Sequence, residues 1–380
     1  MLTAASTAIL GVALLAVPSL AAAAPAITEY PLPTLSSGPA FIGKGPDGNM
    51  WFITGNDNKI NKITPTGIVS SYAVPTPSPF TEIGGIVAGA DGNMWFTESN
   101  ANKISKITPS GVVTEYALAT NTRPGGVALG PDGNVWFTEY NGNAIGKITP
   151  TGTITEYSLP TASVSPSYIT VGLDGNLWFT EYDGNKIGRI TTSGVVTEYP
   201  VPTAGAGLIG ITTGADGNMW FTEVASNSIG KISPTGTITE YSLLTSGAFP
   251  YSITTGADGN MWFTEAFANN IGMITPAGVV TEFPLSTVGS IPIGIQSGPN
   301  NTIWFTENAG NNIGMMQLPG SSPGSTNNDN GSTNSLPTNT TLTDTGTSIT
   351  IIQTLAGSIV LLASIAWIFG RRTYQKYRLH

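Results

Sequence analysis

A ten-residue string recurs along most of the chain, and residues 89–98 (GADGNMWFTE) are a representative copy. The tryptophans that mark the copies are Trp51, Trp95, Trp136, Trp178, Trp220, Trp262 and Trp304. Successive tryptophans are separated by 44, 41, 42, 42, 42 and 42 residues. Seven copies of one unit at a fixed period predict a single repeat domain rather than the two or three domains that length alone would suggest.

Each unit is predicted to form four short strands. In the third copy we expect strand A at 126–129, strand B at 135–139, strand C at 145–148 and strand D at 153–157. The Asp-Gly pair between strands A and B predicts a two-residue hairpin, because such a turn requires positive φ angles.

Strand B has apolar side chains on both faces, with Trp136 on one and Val135 and Phe137 on the other. A sheet with one wet face would not tolerate this pattern, so both faces must be covered. Four-stranded sheets packed in a ring satisfy the requirement, and the fold class is therefore an all-β, seven-bladed β-propeller. Residues 27–30 match the endings of later units and are predicted to supply the outer strand of the seventh blade.

The residue inventory excludes several kinds of chemistry. The chain contains no cysteine, and its single histidine is the last residue, His380. The repeat region therefore lacks the usual neutral-pH general base. Before residue 320 there are 10 basic and 21 acidic residues, a net charge of −11. A body this acidic is not expected to bind nucleic acid, which requires clustered lysine and arginine.

The two ends of the sequence predict export and anchoring. Residues 1–24 resemble a signal peptide, 25–318 form the propeller, 319–348 a disordered Ser/Thr/Asn-rich stalk, 349–370 a transmembrane helix and 371–380 a basic cytoplasmic tail. We therefore expect a monomeric, single-pass cell-surface protein with the propeller outside. Residues 342–346 (LTDTG) resemble a sortase signal with threonine in place of proline, which leaves cell-wall attachment open.

Three strings, at 28–34 (TEYPLPT), 130–139 (GPDGNVWFTE) and 145–150 (IGKITP), resemble the repeats of the virginiamycin B lyase family. The resemblance covers about residues 27–317. It implies a seven-bladed propeller whose lyase members open a cyclic streptogramin by eliminative cleavage of an ester, using histidine and a magnesium ion. The positions that match the family's histidine slots hold Gly125, Ser167, Tyr251 and Ile293 before strand A, and Tyr140, Tyr182, Val224, Ala266 and Asn308 after strand B.

Glutamates that end strand B are the first candidate ligand-binding residues: Glu98, Glu139, Glu181, Glu223, Glu265 and Glu307. Ring closure is expected to place them on one face, where they could hold Mg²⁺ or Ca²⁺ or attract a cationic ligand. The alternative is structural: each would accept hydrogen bonds from its own B-to-C loop or pair with a strand-C cation such as Lys106, Lys147 or Arg189. Their recurrence in nearly every unit favours the structural role.

Residues that differ among the units are the second set of candidates, and they lie in the D-to-A loops: Phe41, Phe80, Glu82, Arg123, Tyr168 and Tyr251. Aromatic and charged side chains on a loop face are typical of a surface that binds a small molecule, glycan or protein. The alternative is that these side chains only fill the central channel.

The missing histidines favour a non-catalytic, surface-anchored binding protein. The alternative is a metal-dependent lyase or lactonase that acts on cyclic esters and uses carboxylates instead of histidine. A purely structural envelope component is a third hypothesis.

Overall fold

The computed structural model describes residues 25–76 and 84–319, and these form seven four-stranded antiparallel sheets. Strand A of each blade is β2 (Pro39–Lys44), β6 (Ile86–Ala88), β10 (Pro124–Leu129), β14 (Pro166–Val171), β18 (Leu208–Thr213), β22 (Pro250–Thr255) and β26 (Pro292–Ser297). Strand B is β3 (Met50–Thr54), β7 (Met94–Glu98), β11 (Val135–Glu139), β15 (Leu177–Glu181), β19 (Met219–Glu223), β23 (Met261–Glu265) and β27 (Thr302–Glu307).

Strand C is β4 (Lys59–Ile63), β8 (Lys103–Ile107), β12 (Ala144–Ile148), β16 (Lys186–Ile190), β20 (Ser228–Ile232), β24 (Asn270–Ile274) and β28 (Asn312–Gln317). Strand D is β5 (Val69–Ala73), β9 (Val113–Ala117), β13 (Ile154–Ser158), β17 (Val196–Pro200), β21 (Ile238–Ser242), β25 (Val280–Pro284) and β1 (Ile27–Pro31). The prediction of four strands per unit is confirmed, and in the third blade the observed bounds differ from the predicted ones by at most two residues.

The ring closes as the sequence predicts. Strand A of each blade contacts strand A of the next, and β26 contacts β2, so the A strands surround the central axis. The outer strand of the seventh blade is β1, which pairs antiparallel with β28 from Ile27 opposite Met316 to Pro31 opposite Asn312. This pairing covers an edge of β28 that would otherwise be free to pair with another chain.

Burial of strand B on both faces is confirmed. In the third blade Val135, Trp136 and Phe137 are buried, and every B strand has the same fully buried pattern. Trp136 stacks on Tyr157 of strand D at 5.6 Å between ring centroids. Gly152, at φ +97, leaves room for the strand-D tyrosine of the preceding blade, Tyr116. Each blade therefore packs its aromatic layer against the turn of its neighbour.

The hairpin between strands A and B differs from the predicted two-residue turn. Gly130 N donates to Asn134 O at 2.8 Å, which makes the loop three residues long, and only Gly133 takes a positive φ, of 75°. Asp132 keeps an ordinary backbone φ, and its carboxylate accepts a hydrogen bond from the buried indole Nε1 of Trp136 at 3.0 Å. The aspartate of the predicted Asp-Gly turn thus also accepts a hydrogen bond from a buried tryptophan.

The strand-C cations Lys106, Lys147 and Arg189 lie at this hairpin face and do not reach the strand-B glutamates. Lys147 Nζ is 3.6 Å from Asp132 and 5.0 Å from the Trp136 ring centre. The corresponding pairs are Lys106 with Asp91 and Arg189 with Asp174. The suggested pairing of Lys106, Lys147 and Arg189 with the glutamates is therefore wrong. Lys147 lies opposite Trp136, whereas Glu139 lies three residues further along strand B, at the loop-face end of the blade.

Both described ends of the propeller lie at the hairpin face. Gln317 pairs with Thr302, at the hairpin end of β27, and Gln317 N donates to Ala26 O at 3.1 Å. The loops that join strand D to A and strand B to C lie at the other face, here called the loop face. Within residues 25–76 and 84–319, no helix is long and apolar enough to span a membrane. The predicted signal peptide, the stalk beyond residue 319, the membrane segment and the tail lie outside the described residues.

We predict that Asp132→Ala lowers the free energy of unfolding by about 1–3 kcal/mol, because it leaves a buried indole N–H without an acceptor. Asp132→Asn retains an acceptor oxygen and is expected to lose less. Guanidinium unfolding of the purified chain, followed by tryptophan fluorescence, measures both. Equal stability of the alanine variant and the wild type would show that the Asp132–Trp136 hydrogen bond contributes nothing.

Candidate functional site

The centre of the loop face is filled by apolar side chains from five blades. Phe41, Ile209, Tyr251 and Ile293 belong to one buried cluster, and Tyr168 packs against it. These residues lie at the start of strand A, where the register with strand B shifts, as between Pro166 and Ile169. Since blades on opposite sides of the ring contribute, the cluster must lie on the central axis. We call it the channel floor.

Aromatic contacts run across this floor. Tyr168 lies 6.3 Å from Phe41 and 6.5 Å from Tyr251 between ring centroids, and Tyr251 lies 6.4 Å from Phe249. Phe249 in turn stacks on Phe267 at 4.6 Å, and Phe267 is 45% exposed whereas Phe41 and Tyr251 are 4% and 5% exposed. The predicted residues Phe41, Tyr168 and Tyr251 are therefore brought together, and they fill the channel; of the three only Tyr168 is partly exposed.

Tyr168 carries a buried polar group into this apolar floor. Its hydroxyl oxygen is buried without a hydrogen-bond partner among the described residues. Burial, and then the neighbouring Tyr251, hold the pKa of the Tyr168 phenol well above its ordinary value of 10. The group therefore remains a neutral O–H enclosed within the floor.

The rim of the floor contains residues in an unfavourable backbone conformation. Arg123, Phe249 and Ile291 precede strand A with φ angles of 50°, 59° and 51°, whereas Gly38 and Gly207 occupy the equivalent position in two other blades. A β-branched residue such as isoleucine is a rare occupant of the left-handed region. The guanidinium of Arg123 lies 5.2 Å from the ring centre of Tyr140.

Several of these rim and floor residues were not predicted from the sequence, among them Phe249 and Phe267. The signal that could have identified Phe249 is its alignment with glycine before strand A in other units. Phe80 and Glu82 lie in residues 77–83, outside the described residues.

The histidine slots of the family fall on this same face. Gly125, Ser167, Tyr251 and Ile293 occupy the start of strand A, in the irregular part of the pairing. Among the slots after strand B, Val224 and Ala266 belong to the floor cluster and Tyr182 packs against it. None of these side chains can accept and return a proton near neutral pH as an imidazole does.

The strand-B glutamates do not converge on the axis. Each is 0–2% exposed inside its own blade and faces the strand-D glutamate of that blade. The small residue between them on strand C makes room: a Cβ at Gly230 would lie 2.7 Å from Glu223 Oε1. The pairs are Glu98–Glu115, Glu139–Glu156, Glu181–Glu198, Glu223–Glu240, Glu265–Glu282 and Glu307–Glu29.

Burial raises the pKa of these inner carboxyl groups, to about 8 for Glu181 and to about 7 for the other five. The neighbouring strand-D glutamate raises it further, because two adjacent carboxylates repel. Glu223 accepts a hydrogen bond from Ser226 in its own B-to-C loop at 2.7 Å, as the structural alternative proposed. Both carboxyl oxygens of Glu181 lack a hydrogen-bond partner among the described residues.

The described residues do not fit a protein-built magnesium centre. Within 25–76 and 84–319, no group of three or more histidine, cysteine, aspartate or glutamate side chains is placed to hold a metal ion. The glutamates expected to form such a ring are each enclosed in a separate blade. We therefore derive no step that passes through a metal ion.

These features define a seven-bladed propeller with an aromatic floor at the centre of one loop face. The virginiamycin B lyase family model matches residues 21–166 and 121–323, and the chain belongs to this family. No curated protein matches it.

Solved structures agree with the assignment. A streptogramin B lyase is 41% identical, with a TM-score of 0.74, and the match covers 78% of this chain and 98% of that one. Virginiamycin B lyase from Staphylococcus aureus is 41% identical over 77% of this chain and 99% of that one, with a TM-score of 0.73. A catalytically inactive histidine-to-alanine variant of the S. aureus lyase, solved with quinupristin, is 40% identical over 77% and 99%, with a TM-score of 0.73.

We predict that the protein is more stable at pH 5.5 than at pH 8.5. The folded-state pKa values of about 7 to 8 exceed the ordinary 4.5, so the folded state holds protons that the unfolded state releases. The stabilisation is complete below the ordinary value and is lost as the pH rises through 7 to 8, at a slope of up to about 1.4 kcal/mol per pH unit for each group.

Thermal denaturation at half-unit pH steps measures this dependence. Glu181→Gln removes one titrating group and is expected to flatten the profile and to raise the midpoint at pH 8.5. A midpoint that stays constant or rises between pH 5.5 and 8.5 would contradict the assignment of protonated inner glutamates.

Proposed function

We propose that this chain is an anchored, non-catalytic binding propeller that holds a compact, largely apolar cyclic molecule on its loop face. The observation that carries the proposal is the aromatic channel floor, which lies where the family's histidine slots hold other side chains. Apolar walls with a few placed polar groups are typical of a small-molecule site. Here the polar group at the rim is the guanidinium of Arg123.

The strained rim supports a binding role. Arg123, Phe249 and Ile291 are held in a backbone conformation that costs of order 1–3 kcal/mol each, although glycine at the same position would avoid most of that cost. Retaining large side chains there is expected where they contact a ligand. All three lie around the channel floor, and none is needed to close the ring.

Quinupristin is the ligand class that the relatives suggest, since it is bound by the inactive lyase variant. A cyclic ester of this kind offers apolar groups to the exposed Phe267 ring and carbonyl oxygens to the Arg123 guanidinium. Loss of the imidazole removes the base that eliminative cleavage needs, while it leaves the aromatic surface for binding. The lyase scaffold would thus serve to bind the cyclic molecule without cleaving it.

The sequence patterns at residues 1–24 and 349–370 support anchoring. The chain leaves the propeller at the hairpin face, so a stalk and membrane segment beyond residue 319 would leave the loop face turned away from the membrane. We propose export, retention at the cell surface and a cytoplasmic C-terminal tail.

We predict that the purified full chain binds quinupristin without opening its ring. Calorimetric titration measures binding, and reverse-phase chromatography detects the opened product, which mass alone would miss because elimination within a ring leaves the mass unchanged. The chromatographic assay is repeated with added Mg²⁺ and with added Ca²⁺. Ring opening under any of these conditions would establish the enzymatic alternative.

The matched variants are Phe267→Ala on the loop face and Leu173→Ala on the hairpin face, both at exposed side chains. Loss of a hot-spot aromatic contact is expected to weaken binding by about tenfold or more. The Leu173 variant should bind as the wild type does. Equal affinity of both variants would place the ligand elsewhere.

We predict that deleting residues 349–370 releases the protein from the cells that produce it. Detergent should release the intact protein if these residues are a membrane helix, whereas only digestion of the cell wall should release a sortase-linked form. Surface biotinylation of intact cells should label the propeller lysines. A chain that remains inside the cell would refute the surface location.

A further inference from the structure

Outer-strand glutamates are clamped by a threonine in five of the blades. In the second blade Thr76 donates twice to Glu115, from its backbone N at 2.9 Å and from Oγ1 at 2.9 Å. The clamped pairs are Thr76–Glu115, Thr161–Glu198, Thr203–Glu240, Thr245–Glu282 and Thr287–Glu29. The threonine lies in the loop that enters the blade, so the clamp is a bidentate receptor for a carboxylate.

A lysine completes the receptor in two of these blades. Lys103 Nζ lies 2.6 Å from Glu115, and Lys186 Nζ lies 2.5 Å from Glu198. Both lysines begin strand C. The carboxylate in these blades is therefore bound by an amide N–H, a hydroxyl and an ammonium group.

The first blade has the receptor but not its glutamate. Thr34 occupies the clamp position, Lys59 begins strand C, and Ser71 stands where the other blades have the outer glutamate. The register supports the equivalence, because Ser71 pairs with Asn61 as Glu115 pairs with Ser105. The inner glutamate is also replaced, by the shorter Thr54.

The missing side chains leave a cleft at the loop face. The cleft is open to solvent and is lined by Thr34, Thr54, Asp57, Asn61 and Ser71 among others, and its interior of about 10 Å³ has room for one water-sized group, such as one end of a carboxylate. Asp57 Oδ2 pairs with Lys59 Nζ at 3.0 Å, while Asp57 Oδ1 is buried without a hydrogen-bond partner among the described residues.

We propose that this cleft is a second ligand site, which binds the carboxylate of a small 2-hydroxy acid. The carboxylate takes the place of the outer glutamate, on Thr34 N, Thr34 Oγ1 and Lys59 Nζ. The neighbouring hydroxyl of the ligand donates to Asp57 Oδ1. The site lies on the outer strands of the first blade and not on the channel floor, so it goes beyond the proposed function and does not depend on it.

The test uses 3,3,3-trifluorolactate as the probe and the full chain in mild detergent. Binding broadens the ¹⁹F resonance, and titration gives the dissociation constant. Ser71→Glu restores the side chain of the other blades and is expected to weaken binding by at least about tenfold, because it fills the receptor. Ser70→Glu is the matched control: it adds the same charge one residue away, on the opposite face of β5, and should bind the probe as the wild type does.

Three further measurements separate loss of the site from loss of folding. Ser71→Glu is expected to raise the thermal midpoint, since it forms the clamp present in five other blades, and Thr34→Val should weaken probe binding without filling the cleft. 3,3,3-Trifluoropropionate, which lacks the hydroxyl, should bind less tightly than trifluorolactate.

Absence of broadening with the wild type, or equal broadening with Ser71→Glu and Ser70→Glu, would overturn the proposal. Quinupristin titration of Ser71→Glu should match the wild type. The two titrations therefore test the cleft proposal and the channel-floor proposal separately.

Discussion

Burial of strand B on both faces is the constraint from which the rest of the architecture follows. A blade cannot satisfy it alone, because its Trp136-type and Phe137-type side chains require a neighbouring sheet on each side. The ring must therefore close, and β1 is the strand that completes the last blade. The same burial requires a partner for each indole N–H, which the hairpin aspartate supplies in six blades and Thr302 supplies for Trp304.

The carboxyl pairs are a second consequence of this packing. Strand C carries glycine at 146, 188, 230, 272 and 314, where any larger side chain would collide with the strand-B phenylalanine. That gap admits the inner glutamate and brings it against the outer one. A buried carboxyl group beside a carboxylate is stable only when it keeps its proton. Because the glutamate pair recurs in six blades, it is a structural element. The first blade has Thr54 and Ser71 in place of the two glutamates, and this difference is the one that suggests a function.

The sequence predicted the fold well because the signal was repeated seven times and each copy constrained the same four strands. Side-chain partners were harder to predict. Lys147 and Glu139 lie on adjacent strands, yet the antiparallel register places Lys147 opposite Trp136 and Glu139 opposite Ala144, so the two charges do not meet. The sequence predicts Asp132 as a turn residue, because its contact with Trp136 appears only once the hairpin has formed. The channel floor is predictable in part, since Phe41, Tyr168 and Tyr251 interrupt the repeat, whereas Phe249 and Ile291 are recognisable only by aligning them with the glycines before strand A of other units.

Departures from the repeat locate function better than the repeat itself. Substitutions that only had to preserve the fold would be expected to keep glycine before strand A and glutamate on strand D, because these residues fit without strain or empty space. The chain instead places Arg123, Phe249 and Ile291 where glycine fits, and it places Ser71 where a glutamate fills a receptor. Both departures lie on the loop face, away from the hairpin face where the described chain ends. Strained side chains and a carboxylate receptor without its glutamate, both on one face, give that face an asymmetry that binding requires and folding does not.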